Sequence, residues 1–354
     1  MKSQVYFYDI HKHHKISPVN KLGDLAARLD VSELLSEGGN CAVKVHFGEP
    51  GNASFIRPIY IKKIVSIIKG LKLNPFLTDT NTLYYGQRSN AVDHLNAAIG
   101  NGFAYAVVDA PLIIGDGLNG KDYVNVPVNG KHFSEVKIGS AIYHADAMVV
   151  VSHFKGHELS GFGGAIKNIS MGCASRAGKQ MMHSAVKPKV NGSICTSCGK
   201  CIQYCPTNAI EIIQENKPFA SVNSDVCYGC GECVVTCPAK AIKPNWQTET
   251  SVMQEKMAEF AAGAVQNKKN KVIYFNFLID MSPCCDCYHF NDAPIKENIG
   301  ILASNDPVAI DRASLDLVGL DVFKKIYPEI NPAVQLNYLE QLGIGTQEYD
   351  LINV

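Results

Sequence analysis

The chain has 354 residues, 46% of them hydrophobic, and its 33 Lys and Arg balance its 33 Asp and Glu. This length and hydrophobic content allow one large domain or two modest ones with a substantial core. The balanced charge gives no basic excess of the kind that nucleic acid or an anionic membrane surface attracts, so neither is expected as a partner.

The N-terminal segment "MKSQVYFYDIHKHHK" lacks the apolar run of a signal peptide. No stretch of the chain reaches the roughly 18 apolar residues that a membrane-spanning helix needs. We therefore expect a soluble, cytoplasmic protein.

Strands and helices alternate through the first 154 residues. Strands are predicted at 40–47, 74–80, 103–110 and 146–154, and helices at 57–70 and 89–100. Pro58 near the first turn and Gly70 at the end mark the boundaries of the first helix. Residues 124–136 alternate around Asn129-Gly130, the usual two-residue hairpin turn.

A cysteine repeat follows. "CTSCGKCIQYCPTNAI" at 195–210 returns as "CYGCGECVVTCPAKAI" at 227–242, with a constant offset of 32 residues. Three thiolates in C-x-x-C-x-x-C spacing can hold one iron–sulfur cube, and the fourth cysteine, before proline, ligates the other cube in two-cluster ferredoxins. Zinc is the alternative, but it prefers two separated C-x-x-C pairs. The rule predicts two [4Fe–4S] clusters, with these ligands: Cys195, Cys198, Cys201 and Cys237 for the first, and Cys205, Cys227, Cys230 and Cys233 for the second.

The repeat resembles bacterial two-cluster ferredoxins over residues 191–244. Pro206 and Pro238 are expected to lead into short helices at "TNAI" and "AKAI". A module of this size has little apolar core and depends largely on its metal for stability.

Strand and helix signals resume after the repeat. A strand is predicted at 271–279, and Asp306-Pro307 and Asn331-Pro332 are each expected to begin a helix. The whole pattern predicts an α/β fold with an open, mostly parallel sheet and helices on both faces, interrupted by an inserted ferredoxin domain. The α/β domain would comprise residues 1–190 and 245–354, and the ferredoxin domain residues 191–244.

Polar side chains gather where the predicted strands end, which is where ligands bind in open α/β sheets. The glycine- and lysine-rich segment 156–183 adds further polar residues but lacks Walker A spacing. The surplus of Lys and Arg favours an anionic small molecule as ligand. We predict that His46, His153 and His157 donate protons beside Lys44 and Lys155, and that the substrate is bound by Asp79, Asn81, Arg88, Lys167, Asn168 and Lys179.

Three further cysteines, Cys284, Cys285 and Cys287, lie in "SPCCDCYH". They fit a third metal or cluster site, a redox-active thiol pair, or thiols that only pack. Under the first interpretation, the companion ligands would come from Cys173, His153, His157 and His183.

The segments "KVHFGE", "TDTNTLYYGQR", "SHFKGHELSGFGGAIKNISMGC" and "NDPVAIDRAS" together resemble domain-of-unknown-function family 362, over nearly the whole chain. The resemblance implies an α/β domain that carries a two-cluster ferredoxin unit, but no general reaction.

The first functional hypothesis is an oxidoreductase. It would take electrons from a soluble donor protein, or pass them to an acceptor, through the two clusters to a metal centre or anionic substrate in the α/β cleft. The second is an electron carrier or a cluster- or metal-delivery protein that acts on a partner. The third is a non-redox metalloenzyme such as an isomerase or lyase. The clusters suggest a cell that lives with little oxygen.

Overall fold

A computed structural model of the chain describes residues 2–12, 16–29, 38–83, 86–183, 188–205, 207–214, 216–227, 232–243 and 250–354. The strands are β1 (Ser3–Asp9), β2 (Asn40–Val45), β3 (Asn74–Asp79), β4 (Leu112–Ile114), β5 (Tyr123–Pro127), β6 (Glu135–Gly139), β7 (Ala147–His153), β8 (Lys155–His157), β9 (Gly161–Gly163), β10 (Lys189–Val190), β11 (Ile210–Ile213), β12 (Phe219–Val222), β13 (Ile242–Lys243), β14 (Val272–Leu278), β15 (Gly300–Ser304) and β16 (Tyr349–Asn353). The helices are α1 (Pro18–Arg28), α2 (Pro58–Gly70), α3 (Ala91–Ala98), α4 (Tyr105–Val108), α5 (Ser140–His144), α6 (Ala165–Ser170), α7 (Arg176–His183), α8 (Lys200–Gln203), α9 (Glu232–Thr236), α10 (Thr250–Val265), α11 (Pro307–Val318), α12 (Leu320–Ile326) and α13 (Ala333–Gln341). A π-helical turn, Ile99–Phe103, follows α3.

One large sheet organises the chain. Within the described ranges it has eight strands in the order β16-β1-β15-β14-β7-β2-β3-β4. The pairs β14–β7, β7–β2, β2–β3 and β3–β4 are parallel, and β15 runs antiparallel to both of its neighbours. The prediction of a mostly parallel α/β sheet is confirmed.

Helices cover both faces of this sheet, as predicted. Along β7 the apolar side chains alternate: Met148 and Val150 pack toward α6, α10 and α11, whereas Val149 and Val151 pack toward α1 and α2. This alternation follows from the two-residue period of a strand. Because both faces are covered, every residue of β7 is buried, as is usual for a central parallel strand.

The strand predicted at 103–110 is wrong. Residues 105–108 form α4, which ends at Asp109 in the left-handed region (φ 60°), and the edge strand is β4 instead. Tyr105 and Val107 are exposed whereas Phe103 and Val108 are buried, so the segment lies outside the sheet and packs only one side against the core. Periodicity alone does not distinguish these two placements for a short apolar run.

The two-residue hairpin turn at Asn129-Gly130 is also wrong. Strands β5 and β6 do pair antiparallel, but they are joined by residues 128–134. The carboxylate of Glu259, on α10, accepts the amide hydrogens of His132 and Phe133 at 2.9 and 2.8 Å. A distant residue therefore stabilises the longer loop, which local sequence does not reveal.

The cysteine-rich segment forms its own small unit. Strands β10 and β13 pair antiparallel, which places the two ends of the segment side by side, and β11 pairs with β12. An inserted segment requires its ends to be close in this way, but the domain boundaries stay a prediction. Residues 184–187 and 244–249, on either side of the segment, lie outside the described residues.

The helices predicted at "TNAI" and "AKAI" are wrong. Asn208 and Lys240 occupy equivalent positions in the repeat, and both have a φ of 53°. The chain then enters β11 and β13 directly. A residue in the left-handed region ends any helical path, so the segments form turns. Pro206 lies outside the described residues.

No helix in the described part of the chain is long and apolar enough to cross a membrane.

Candidate functional site

A cleft of about 820 Å³ opens at the carboxyl ends of β2, β3, β7 and β14. The parallel strands all end at this edge, which is why residues far apart in sequence meet here. The cleft is lined by thirteen of the residues singled out from the sequence: Lys44, His46, Asp79, Arg88, His153, Lys155, His157, Lys167, Asn168, Lys179, His183, Cys285 and Cys287. Asn81 and Cys284 do not line it. The Asn81 amide instead donates to Asp116 and to the Gly117 carbonyl oxygen, at 2.9 and 2.8 Å.

A buried ion pair forms the floor between β2 and β3. The Lys44 ammonium lies 2.9 Å from an Asp79 oxygen and donates to Asn168 Oδ1 at 2.7 Å. Burial alone would raise the pKa of Asp79, but the positive field of Lys44 and its neighbours holds that pKa below its ordinary value. Asp79 is therefore ionised at neutral pH, and Lys44 has an internal counter-ion.

Arg88 forms a second pair on the wall formed by the loops after β2 and β3. Its Nε donates to Glu49 at 2.8 Å, and its Nη1 lies 3.1 Å from Nε2 of His46. Nδ1 of His46 accepts the amide hydrogen of Gly48 at 3.0 Å. Burial and the adjacent guanidinium hold the pKa of His46 well below its usual range. His46 is therefore a neutral ring at physiological pH.

Asp286 forms a third cluster with His153, the last residue of β7, and with Lys155. Its carboxylate lies 2.9 Å from Nδ1 of His153 and accepts from the Lys155 ammonium at 2.9 Å. Nε2 of His153 lies 3.0 Å from the carbonyl oxygen of Ile279. Both ring nitrogens thus face oxygens that accept hydrogen bonds. His153 lines the cleft but is engaged internally.

Two thiols and a lysine form the fourth cluster. The Lys167 ammonium lies 3.3 Å from the sulfur of Cys285. A hydrogen bond from the Cys287 thiol, followed by the charge of Lys167, holds the pKa of Cys285 well below its ordinary value despite burial. The same hydrogen bond raises the pKa of Cys287. Cys285 is therefore the thiolate of the pair, and Cys287 is the thiol that donates to it.

His157 and Lys179 complete the wall. The Leu159 amide donates to Nδ1 of His157 at 3.3 Å, and burial, followed by the charge of Lys167, lowers the pKa of that ring. Lys179 donates to Thr80 Oγ1 and to the Ala174 carbonyl oxygen, and burial lowers its pKa to about 8. Five of the side chains described along the cleft are cationic: Lys44, Arg88, Lys155, Lys167 and Lys179. Three are carboxylates: Glu49, Asp79 and Glu158. The Cys285 thiolate beside Lys167 and the Asp286 carboxylate beside Lys155 bring the negative groups to five, so the charges at the cleft are close to balanced.

The glycine-rich segment before α6 does not offer its backbone to a ligand. The amides of Ala165 and Ile166 donate to the two carboxylate oxygens of Asp311, at 2.7 and 2.9 Å. Asp311 belongs to α11 and is fully buried. Gly164 lies against this carboxylate, and its missing Cβ provides the space. An internal carboxylate thus already occupies the anion-favouring end of this short helix.

Four cysteines from the two repeats line one small cavity in the cysteine-rich segment: Cys195, Cys198, Cys201 and Cys237. This is the set that the ferredoxin rule assigns to one cluster, with three ligands from the first repeat and one from the second. The thiolates that ligate a cube sit at its corners and not around one point, so a shared cavity suits such a group.

The second predicted set is described only in part, because Cys230 lies outside the described residues. The two cysteines that precede proline have matching surroundings. The Ala209 amide donates to Cys205 Sγ at 3.2 Å, and the Ala241 amide donates to Cys237 Sγ at 3.3 Å. Amide hydrogen bonds to sulfur stabilise thiolates and are one means by which proteins set cluster potentials.

The cleft and the cysteine-rich segment share a wall. Leu83, on the loop after β3, lines the cleft and is also part of the apolar cluster that contains Cys201 and Cys233. Helix α7 supplies Lys179 to the cleft and contacts α9 of the second repeat. The described residues of the two sites are therefore in direct packing contact.

Of the residues proposed for a third metal or cluster site, five line the cleft, namely His153, His157, His183, Cys285 and Cys287, whereas Cys173 and Cys284 do not. In the ranges that the structure describes, no three His, Cys, Asp or Glu side chains lie close enough together to hold a single metal ion. Cys284 lies outside the cleft, 4.0 Å from Asp292, and Cys173 is buried beside the Asn168 carbonyl oxygen. Only Cys285 and Cys287 of the three neighbouring cysteines face the cleft.

Sequence reasoning missed several contributors to the cleft. Asp286 lies between two cysteines, and the sequence analysis did not single it out. The alternation of side chains along an extended chain predicts that Asp286 faces away from both cysteines. Leu83 and Glu158 carried no signal, because an apolar residue in a loop and an acid beside a histidine are common. Asp311 lies in the predicted helix after Asp306-Pro307, but its contact with α6 depends on tertiary structure.

Comparison with known proteins gives a family but no activity. The family model "Domain of unknown function (DUF362)" matches residues 41–316. A search of curated proteins finds no match. Among solved structures, the lactate racemase apoprotein from Thermoanaerobacterium thermosaccharolyticum has a TM-score of 0.45 and 11% identity, over 90% of this chain and 56% of that chain. A protein from Thermotoga maritima has a TM-score of 0.42 and 9% identity, over 93% of this chain and 60% of that chain. The chain thus spans less than two thirds of either protein's length.

Proposed function

Because the chain belongs to the family of the domain of unknown function 362, for which no activity is defined, we propose its function from its own cleft: it is an iron–sulfur oxidoreductase that acts on a small anionic molecule. The observation that carries this proposal is the wall shared by the cleft and the cysteine-rich segment. Leu83 touches both, so a molecule in the cleft would lie one side chain away from the core that contains Cys201 and Cys233.

Two [4Fe–4S] clusters fit the cysteine pattern. The first would be held by the four cysteines that line one cavity, and the second by Cys205, Cys227, Cys230 and Cys233. When bound, such clusters supply electrons one at a time, at potentials between about −700 and +450 mV. A soluble electron-transfer protein would exchange electrons with them.

The cleft residues would bind the substrate and move protons. Four of the five cationic side chains along the described cleft lie beside an anionic group, whereas the Lys179 ammonium donates to two neutral oxygens. Lys179 is therefore the best placed to meet a negative charge on the substrate. His157 would contact the substrate through Nε2, since its Nδ1 lies 2.9 Å from the Ser160 hydroxyl and 3.3 Å from the Leu159 amide nitrogen. His46 and His153 would orient their neighbours.

A second function, electron carriage or cluster delivery to a partner protein, is favoured by one observation. Around the cysteines, Ile194, Tyr204 and Val226 are 44%, 50% and 45% exposed, and Cys198 is exposed as well. Apolar side chains at the surface of so small a unit suit contact with another protein.

The test begins with iron and acid-labile sulfide in protein purified without oxygen. The proposal expects about eight iron atoms per chain and their paramagnetic resonance after reduction. Reduced protein would then be offered small carboxylates and phosphoesters, and reoxidation followed by the cluster absorbance. Lys179→Met and His157→Gln should prevent reoxidation without loss of iron.

Three results discriminate. Absence of inorganic sulfide contradicts the proposal entirely. Full iron content with reoxidation only by a partner protein supports the carrier. Full iron content with unchanged reoxidation in both cleft variants contradicts the assignment of those residues.

A further inference from the structure

The turn that carries Cys285 and Cys287 is fixed from its opposite side. Asp286 lies between them and points away, into its ion pairs with His153 and Lys155 at 2.9 Å. The carbonyl oxygen of Asp286 also accepts the Glu49 amide hydrogen at 3.1 Å. With the central residue held, the side chains on either side of it are brought to the same face of the turn, where both line the cleft.

From this geometry we propose that Cys285 and Cys287 form a two-electron dithiol–disulfide site that reduces a small disulfide bound in the cleft. Both cysteines line the cleft from one turn, and the Lys167 ammonium lies 3.3 Å from the sulfur of Cys285. The inference stands on the cleft alone and does not require the clusters.

The reaction balances with the groups present and one named substrate, R–S–S–R. The Cys285 thiolate attacks one sulfur, a Cys285–S–S–R bond forms, and RS⁻ leaves and takes a proton. Cys287 loses its proton and attacks Cys285 Sγ, the intramolecular disulfide forms, and the second RS⁻ leaves. The protein pair loses two electrons and the substrate gains two.

The surroundings assign a distinct part to each residue. Lys167 stabilises the attacking thiolate, and Cys287 resolves the mixed disulfide. A disulfide between residues two apart closes a small ring, and such strained bonds are readily reduced, which suits turnover more than structural bracing. Cys284 is the internal control, because it lies outside the cleft beside Asp292.

The test uses the full-length protein, purified and handled without oxygen, with 2-hydroxyethyl disulfide as the substrate. After an acid quench, free thiols are blocked with a maleimide and the protein is digested with trypsin. The peptide 272–296 contains three cysteines, Cys284, Cys285 and Cys287. We expect one blocked thiol, at Cys284, and a 285–287 disulfide that dithiothreitol removes.

The variants separate chemistry from structure. Cys287→Ser should stop at a mixed disulfide on Cys285, whereas Cys284→Ser should behave like the unaltered chain. Lys167→Met should slow the reaction several-fold at pH 7, because the Cys285 thiolate loses the ammonium that lies 3.3 Å from it.

Three outcomes overturn the proposal. The first is a peptide with all three thiols blocked by the maleimide after exposure to the disulfide, and the second is a disulfide bond that includes Cys284. The third is a pair of thiols that do not react with the maleimide before the quench and form no disulfide, because that result indicates bound metal. None of these depends on iron content. Failure here is therefore distinguishable from failure of the proposed iron–sulfur function.

Discussion

Replacement of Gly164 by alanine tests the anchor between α6 and α11. An added Cβ would stand 2.8 Å from Cγ of Asp311 and closer still to one of its oxygens, where real contacts are essentially never under 3.0 Å. The carboxylate cannot retreat easily, because it is fully buried and accepts hydrogen bonds from Ala165, Ile166 and Asn276. Overpacking costs about 1–3 kcal/mol, and loss of one hydrogen bond to a charged acceptor adds about 1.5–3 kcal/mol.

We therefore expect Gly164→Ala to lower the free energy of unfolding of the α/β domain by about 3–5 kcal/mol, within those two terms. Urea titration under anaerobic conditions, followed by circular dichroism, measures the loss. Gly70→Ala is the matched control, because a Cβ at the end of α2 meets nothing within 4 Å. That variant should be neutral or more stable by up to about 1 kcal/mol.

A double-mutant cycle isolates the clash. In an Asp311→Ala background the obstructing carboxylate is gone, so adding Gly164→Ala should cost less than about 1 kcal/mol. If Gly164→Ala costs the same with and without Asp311, the overlap is not the cause and the reasoning is refuted. A loss below about 1 kcal/mol in the single variant would refute it equally, because that would mean the carboxylate yields freely.

Three other perturbations have definite expected outcomes. Asp286→Asn removes the carboxylate that faces a buried lysine and a buried histidine, so it should lower the free energy of unfolding by about 3–5 kcal/mol in denaturant titration. The control, Asp292→Asn on the exposed side of the same loop, should change the free energy of unfolding by less than about 0.5 kcal/mol. Cys237→Ala should roughly halve the iron content while Cys284→Ala leaves it unchanged, and equal iron in both variants would contradict the crossed ligand set. Burial raises the pKa of Asp311 from its ordinary 3.8 to about 6, so the folded state binds the Asp311 proton more tightly than the unfolded state does. The protonated carboxyl therefore stabilises the fold below about pH 4, and this contribution falls by about 3 kcal/mol as the pH rises to 6. Denaturant titrations across this range should show that fall in the unaltered chain and not in Asp311→Ala, and equal slopes would contradict it.

Strand ends were the most informative part of the sequence. Lys44, Asp79 and His153 were singled out because each follows or ends a predicted parallel strand, and all three line one cleft. The three residues meet because parallel strands bring their carboxyl ends to one edge whatever their order in the sheet.

Pairing within the cleft was beyond sequence reasoning. Lys155 and Lys167 were expected to face a ligand, but Asp286 and Cys285 already neutralise them. A count of lysines does not reveal which carboxylate or thiolate faces each one, because those partners come from loops whose paths depend on tertiary packing. The wrong strand prediction at 103–110 has a related origin, because the periodicity of a short apolar run does not distinguish an edge strand from a surface helix.

The position of Asp311 has one further consequence for how the cleft recognises its ligand. The two amides at the start of α6 donate to the Asp311 carboxylate, so they are not available to a ligand. The ligand is therefore selected by lysine, histidine and cysteine side chains on separate loops. Side chains can be exchanged one at a time without rebuilding the backbone. The glycine turn and its internal anchor can therefore stay constant while the chemistry of the cleft diversifies around them.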